Sequence, residues 1–139
     1  MGMAALDVGD ARIGVAVSDD LGVSVRGVGV VARKGGNHDL AEVARMLAPH
    51  EVSRIVIGLP LNMDGTEGRQ ASRVRAFGDR LGDHLGIPID FWDERLTTFE
   101  AEERLRDRGV NAKRRRALID QVAAEVILRA YLDHRACGE

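Results

Sequence analysis

The chain has 139 residues, of which 45% are hydrophobic and 30% charged, and its formal net charge is −2. This length suits one well-buried domain over residues 1–139, and the charge excludes a uniformly basic surface, so any nucleic acid must bind a local patch. The single cysteine, Cys137, excludes an internal disulfide and fits a reducing cytoplasm. No apolar run approaches the roughly 18 residues of a membrane span, so we expect a cytoplasmic protein.

The hydrophobic pattern predicts an α/β fold. Apolar or alternating runs predict strands at 3–9, 13–17, 23–30, 54–58 and 87–92. Helical spacing predicts one helix capped by Asn37, one after a loop at 59–68, one opened by Thr97 to Glu100, and one over about 116–134. Short turns join the first three strands into an antiparallel meander, and helical crossovers add two parallel strands. We therefore expect a mixed five-stranded sheet flanked by helices.

Three carboxylate positions conflict with their apolar surroundings. Asp7 interrupts the first strand, Asp93 and Glu94 follow the last one, and Asp120 is the polar member of an otherwise apolar face of the final helix. The other residues of that face are Ala123, Ala124, Ile127 and Tyr131. A buried carboxylate needs a cation or hydrogen-bond donors. Together the three positions predict one site for a hard divalent cation, Mg²⁺ or Mn²⁺, of the kind that serves phosphodiester cleavage.

Each acid also has an ordinary structural interpretation. Asp7 could accept hydrogen bonds from the amides of the turn that follows it, and the pair Asp93 and Glu94 could be solvated loop residues. Asp120 could be stabilised by the helix dipole or by a nearby arginine. The metal-site hypothesis rests on the three positions taken together.

Four motifs, in order along the chain, closely resemble the YqgF family. They are DVGDARIG from Asp7, GLPLNMDGTEG from Gly58, DERLTT from Asp93, and Asp120 followed by Ala123-Ala124. Members of this family are named as Holliday junction resolvases or as pre-16S rRNA nucleases. The resemblance implies a ribonuclease-H-like fold, which agrees with the predicted element order. It also implies that Asp7, Glu94 and Asp120 are the catalytic, metal-binding acids.

Other residues within the motifs are candidates for nucleic-acid binding. Gly9 and Gly14 allow tight turns and the approach of a phosphate, and Arg12 offers a fork of donors to it, unless it is simply an exposed turn residue. Asn62 lies in the loop 59–68, which we expect to border the substrate cleft. Arg95 could contact a phosphate or pair with Asp93.

A basic segment precedes Asp120 along the chain. Between Arg104 and Arg116 there are seven basic residues and one acid. Such a run is often a solvated face, but its position favours binding of backbone phosphates. The candidates in this segment are Lys113, Arg114, Arg115 and Arg116.

We therefore expect a metal-dependent endonuclease that acts on structured nucleic acid, with maturation of pre-16S ribosomal RNA favoured. The alternatives are a resolvase that cuts four-way DNA junctions and a non-catalytic RNA-binding factor in ribosome assembly. A phosphate-handling domain of the sugar-kinase and actin superfamily, suggested by Asp7-x-Gly9, would lack the second domain needed to enclose ATP. The expected partners are RNA and ribosomal precursor particles, with the chain a monomer or a homodimer.

Overall fold

The computed structural model describes residues 2–93 and 112–138, with the side chains of the last helix described from Ile119 to Arg135. The elements are β1 Gly2–Val8, β2 Arg12–Ser18, β3 Val25–Ala32, α1 Gly36–Leu47, a 3₁₀ turn Ala48–His50, β4 Val52–Leu59, α2 Arg69–Leu85, β5 Ile89–Asp93 and α3 Ala112–Gly138. The helix predicted to open at Thr97 lies outside the described residues. Across these two ranges, no helix combines the length and apolar character required to cross a membrane.

The five strands form one mixed sheet in the order β3-β2-β1-β4-β5. The meander of β1, β2 and β3 is antiparallel, and β4 and β5 add to β1 in parallel. This confirms the predicted sheet of three antiparallel and two parallel strands. Strand β1 is central, and the carboxyl ends of β1, β4 and β5 therefore meet at one edge of the sheet.

Helices cover both faces of the sheet. Residues such as Leu6, Val15 and Ile57 form the larger core with α1 and α2 on one face. On the other face Ala5, Ala16 and Val56 pack against α3. The α3 residues in that contact are Ala124, Ile127, Leu128 and Tyr131. The side-chain alternation of each strand therefore decides which residues face α3.

The start of α1 differs from the prediction. Asn37 is not the N-cap, because the helix begins at Gly36 and its cap is Gly35, which makes no side-chain capping bond. Gly35 and Gly36 have φ values of 93° and 57°, which favour glycine, and this pair turns the chain into the helix. The Asn37 side chain instead accepts a hydrogen bond from Arg80 at 3.2 Å.

Helix α3 also differs in its extent and in one packing contact. It begins at Ala112, earlier than the predicted start near residue 116, and reaches Gly138. Ala124, Ile127 and Tyr131 face the sheet as predicted, but Ala123 packs in a separate cluster with Val122 and Val126. Three residues turn a helix through about 300°, so Ala123 falls at the edge of the stripe that begins at Asp120.

Candidate active site

Asp7 lies on the face of the central strand that α3 covers. It is half-buried, one residue before the end of β1, and it stands directly opposite Gly14 of β2. The β1–β4 register places Gly58 on its other side. Ala5, two residues earlier, packs against α3, so Asp7 points to that face as well. The acid is thus flanked by two glycines at the edge where the parallel strands end.

The backbone of helix α3 packs directly on Gly14, which stands opposite Asp7 in the sheet. A Cβ atom added to Gly14 would lie 1.9 Å from the backbone oxygen of Asp120 and 2.7 Å from the backbone nitrogen of Gln121. The backbone of Asp120 therefore packs on Gly14, the residue that stands opposite Asp7. We predicted that Gly14 lets a phosphate approach, and this is wrong, because the helix backbone fills that space.

Arg12 connects β2 to the same position of α3. Its Nε donates to Oδ2 of Asp120 at 2.9 Å, with the arginine side chain 44% exposed and the aspartate 19% exposed. The structure thus shows the arginine pairing considered for Asp120, on the helix that packs against the strand neighbour of Asp7. The alternative of stabilisation at the helix N-terminus is excluded, because Asp120 lies eight residues after Ala112, the first residue of α3.

The turn between β1 and β2 is held by a partly buried ion pair that the sequence patterns did not predict. The amide of Gly9 donates to the carbonyl of Arg12 at 2.8 Å, which closes the turn. Arg33 donates from Nη1 to the carbonyl of Gly9 at 3.0 Å and from its amide to the carbonyl of Ala11 at 2.9 Å. Its Nε pairs with Asp39, which is 1% exposed. Arg33 and Asp39 therefore position the turn that carries Arg12.

Hydrogen bonds compensate for the burial of Asp39. Burial by itself raises the pKa of this carboxyl, but the amide of Lys34, the ring of His38, the guanidinium of Arg33 and the amide of Gly35 together lower the pKa to about 2. The two amides donate at 2.9 Å and 3.1 Å. The ionised form of Asp39 is therefore strongly favoured in the folded protein.

We predict that Asp39→Asn lowers the free energy of unfolding at pH 7 by about 2 kcal/mol, because the folded pKa lies well below the ordinary value of 3.8. A depressed pKa contributes stability that is fully present above the unfolded value and is lost as the pH falls through the folded value. The difference between wild type and variant should therefore shrink between pH 4 and pH 2, as measured by urea unfolding. A difference that is the same at pH 7 and pH 2.5 would contradict this account.

The loop after β4 is braced by its own side chains. Nδ2 of Asn62 donates to Oγ1 of Thr66 at 3.0 Å, and the amide of Asn62 donates to the carbonyl of Thr66 at 2.9 Å. A Cβ on Gly68 would lie 3.1 Å from Oδ1 of Asn62. The structure thus gives Asn62 a role in holding the loop closed, and its predicted contact with nucleic acid stays a prediction.

The remaining candidates are only partly described. Glu94 and Arg95 lie outside the described residues. Lys113, Arg114, Arg115 and Arg116 belong to the first turns of α3, but their side chains are not described. Within residues 2–93 and 112–138, no group of three His, Cys, Asp or Glu side chains is placed to hold a metal ion. The predicted trio therefore needs Glu94 for completion.

Comparison with solved structures defines the class of fold. RuvC from T. thermophilus, in complex with a Holliday junction substrate, matches with a TM-score of 0.63 and 16% identity, covering 99% of this chain and 97% of that chain. The Fowlpox virus resolvase, in complex with Holliday junction DNA, matches with a TM-score of 0.61 and 9% identity, covering 97% and 99%. The chain therefore has the ribonuclease-H-like fold of these resolvases.

Comparison with sequences gives the family. The model of the RuvX family, described as Holliday junction resolvase, matches residues 1–134. A protein of Anaeromyxobacter dehalogenans (strain 2CP-C), named "Putative pre-16S rRNA nuclease", is 50% identical over 131 residues, which cover 94% of this chain and 96% of the relative. A protein of the same name from Myxococcus xanthus (strain DK1622) is 49% identical over 131 residues, which cover 94% of this chain and 87% of the relative. The chain belongs to the RuvX family, which is the YqgF family of the sequence motifs.

Proposed function

We propose that the chain is an endonuclease that hydrolyses phosphodiester bonds in structured nucleic acid. The observation that supports the proposal is the direct contact of the α3 backbone at Asp120 with Gly14, the residue that stands opposite Asp7 near the end of the central strand. We propose that the carboxylates of Asp7 and Asp120 meet at this edge of the sheet. Membership of a family of nucleases and resolvases supports the same conclusion.

The donor set fits Mg²⁺ or Mn²⁺. Asp7 and Asp120 offer hard oxygen ligands, and the described residues bring no cysteine or histidine to them. We assign Glu94 as the third ligand, because it completes the acid trio that the family motifs imply and follows β5, whose carboxyl end lies at the same edge of the sheet as that of β1. When bound, such an ion polarises the scissile phosphate and lowers the pKa of a coordinated water. The three acids would hold the ion beside the phosphodiester bond that is to be cut.

Arg12 has two roles in this proposal. In the structure it pairs with Oδ2 of Asp120, so a cation that binds the same oxygen competes with the guanidinium. Once released, the fork of donors on Arg12 is available to a phosphate of the nucleic acid. The basic residues at the start of α3, Lys113 to Arg116, would hold further phosphates.

We predict that Arg12→Gln tightens the binding of Mn²⁺ to the free protein by roughly 3- to 10-fold, because the variant removes a cation that competes for Asp120 in a partly exposed pair. Isothermal titration calorimetry measures this directly. Arg45→Gln is the matched control, since Arg45 pairs with Glu42 at 2.7 Å on α1 and should leave Mn²⁺ binding unchanged. Weaker Mn²⁺ binding in Arg12→Gln would show that Arg12 supports the site.

We propose precursor 16S ribosomal RNA as the substrate, because the relatives that cover nearly the whole chain carry that name. A four-way DNA junction is the second candidate, favoured by the description of the family model. The chain would act in the cytoplasm, on ribosomal precursor particles in the first case. A junction cutter needs two sites acting together, so that activity would require a homodimer.

The experiment that tests this function presents the purified protein, with Mg²⁺ or Mn²⁺, with three labelled substrates: precursor rRNA ends, single-stranded RNA and a four-way DNA junction. We expect cleavage of the precursor ends, and none in EDTA. If only the four-way junction were cut, the substrate would be junction DNA and not precursor 16S rRNA, and the protein would be a resolvase. Binding of RNA without cleavage of any substrate would favour a non-catalytic assembly factor.

A further inference from the structure

One strongly exposed apolar side chain lies at the edge of the sheet that carries the candidate active site. Among the described residues the exposed large hydrophobics are Leu21 at 85%, Val23 at 69% and Met63 at 97%. Leu21 and Val23 lie in the turn after β2, which is antiparallel to β1, so they lie at the opposite edge from Asp7. Met63 follows β4, which is parallel to β1, so its loop leaves the sheet where Asp7 lies.

The loop presents Met63 from a well-defined turn. Besides the bonds between Asn62 and Thr66, the amide of Gly65 donates to the carbonyl of Asn62 at 2.9 Å. Oδ1 of Asp64 accepts from the amide of Thr66 at 3.0 Å and from its hydroxyl at 2.6 Å. The residues on both sides of Met63 are thus fixed by the loop itself. A contact made by Met63 would lose little backbone entropy, because the loop is ordered beforehand.

The charges around the loop favour an anionic partner. Two oxygens of Glu67 are occupied by Arg75, at 2.9 Å and 2.7 Å. Arg69 and Arg73 are exposed, lie four residues apart on the first turns of α2, and form no ion pair with another described residue. The contact between Asn62 and Gly68 brings the base of the loop against the start of this helix. Two exposed guanidinium groups, those of Arg69 and Arg73, therefore lie on the helix that begins against the base of the Met63 loop.

We propose that Met63 contacts the face of an unpaired nucleobase, while Arg69 and Arg73 hold the adjoining phosphates. This inference rests on the proposed function, in which nucleic acid occupies the edge of the sheet at Asp7. A thioether is polarisable and packs well on a flat π system, and arginine suits phosphate oxygens. The base has to be unpaired, because pairing and stacking within a duplex hide its face.

The test compares two fluorescein-labelled oligonucleotides of equal length, single-stranded RNA and a backbone of abasic sites. Binding is measured by fluorescence anisotropy in EDTA, which separates binding from cleavage. We expect Met63→Gln to weaken binding of the RNA by roughly 5- to 10-fold and of the abasic strand by less than about 2-fold. Met63→Leu, which keeps an apolar side chain, should stay within about 2-fold of wild type on both.

The arginines should act on both strands alike. The double variant Arg69→Gln, Arg73→Gln should weaken binding of RNA and of the abasic strand equally, and should reduce the slope of log affinity against log salt by about 1.4. All substituted side chains are exposed, so thermal unfolding should match that of wild type. An unchanged salt slope would overturn the assignment of the arginines to phosphates.

Other outcomes separate this inference from the proposed function. Equal weakening of both strands by Met63→Gln, or no weakening of either, would overturn the assignment of Met63 to a base. The protein could also bind RNA in a way that depends on the bases and on Met63 and yet cleave nothing in Mg²⁺ or Mn²⁺. That result would support the role of Met63 and overturn the proposal that the protein is a nuclease. A wild-type protein that binds neither strand would overturn both.

Discussion

Asp7→Asn should abolish cleavage, with a loss of rate on the order of 10³-fold or more, while the protein without metal stays folded. Asparagine has the shape of aspartate but offers one weaker oxygen ligand and no charge. Asp7 is half-buried, and in the proposed site it shares a cation with Asp120, so in the protein without metal the substitution removes one negative charge from that site. We therefore expect the melting temperature of the variant in EDTA to equal or slightly exceed that of wild type.

A matched control makes this result specific. Asp83→Asn makes the same chemical change at an exposed position of α2 and should leave both activity and melting temperature unchanged. A sharp fall in the melting temperature of Asp7→Asn in EDTA would mean that Asp7 is a structural residue. Retention of cleavage by that variant would remove Asp7 from the catalytic site.

Gly14→Ala should destabilise the protein by about 3 kcal/mol or more, and should also strongly reduce activity. Its new methyl group would lie 1.9 Å from the backbone oxygen of Asp120, and a helix backbone cannot move aside as a flexible side chain can. Helix α3 would have to shift away from β2, and Asp120 would move with it. Chemical unfolding measures the first effect, and cleavage under conditions where the variant is fully folded measures the second.

Gly27→Ala is the control for this prediction. Gly27 also faces α3, but a methyl group there would meet the side chain of Gln121, at 2.2 Å from its Nε2. That side chain can rotate away, so we expect a loss of less than about 1 kcal/mol and little change in activity. Equal effects of the two substitutions would contradict the direct contact between Gly14 and the backbone of α3.

The fold followed from the sequence because local hydrophobic patterns determine it. Alternation in β2 and the continuous apolar run in β4 identified the strands, and the right-handed crossover rule then allowed few sheet orders. The predicted ends of the helices and strands were less accurate, and the start of α1 is an example. The Gly35-Gly36 pair sets that boundary through its backbone angles, whereas the capping preference of Asn37 is weak by comparison.

The site was predicted less completely than the fold. Asp7 and Asp120 were predicted because each carboxylate interrupts an apolar pattern, and their role as metal ligands stays a prediction. Asp39, next to Leu40 and four residues before Val43, could have been singled out by the same signal, but not its pairing with Arg33. The bond from Arg12 to Asp120 could not be found in this way. It joins residues 108 positions apart, and only the packing of α3 on β2 brings them together.

Anomalous scattering from crystals soaked in Mn²⁺ would locate the proposed metal site directly. We predict an anomalous peak about 2.1 Å from carboxylate oxygens of both Asp7 and Asp120, with Glu94 as a further ligand. In the same crystals Arg12 should no longer bond Asp120. A Mn²⁺ peak that contacts neither aspartate, or no peak with Arg12 still paired to Asp120 at saturating Mn²⁺, would contradict the proposal that these acids form a metal site.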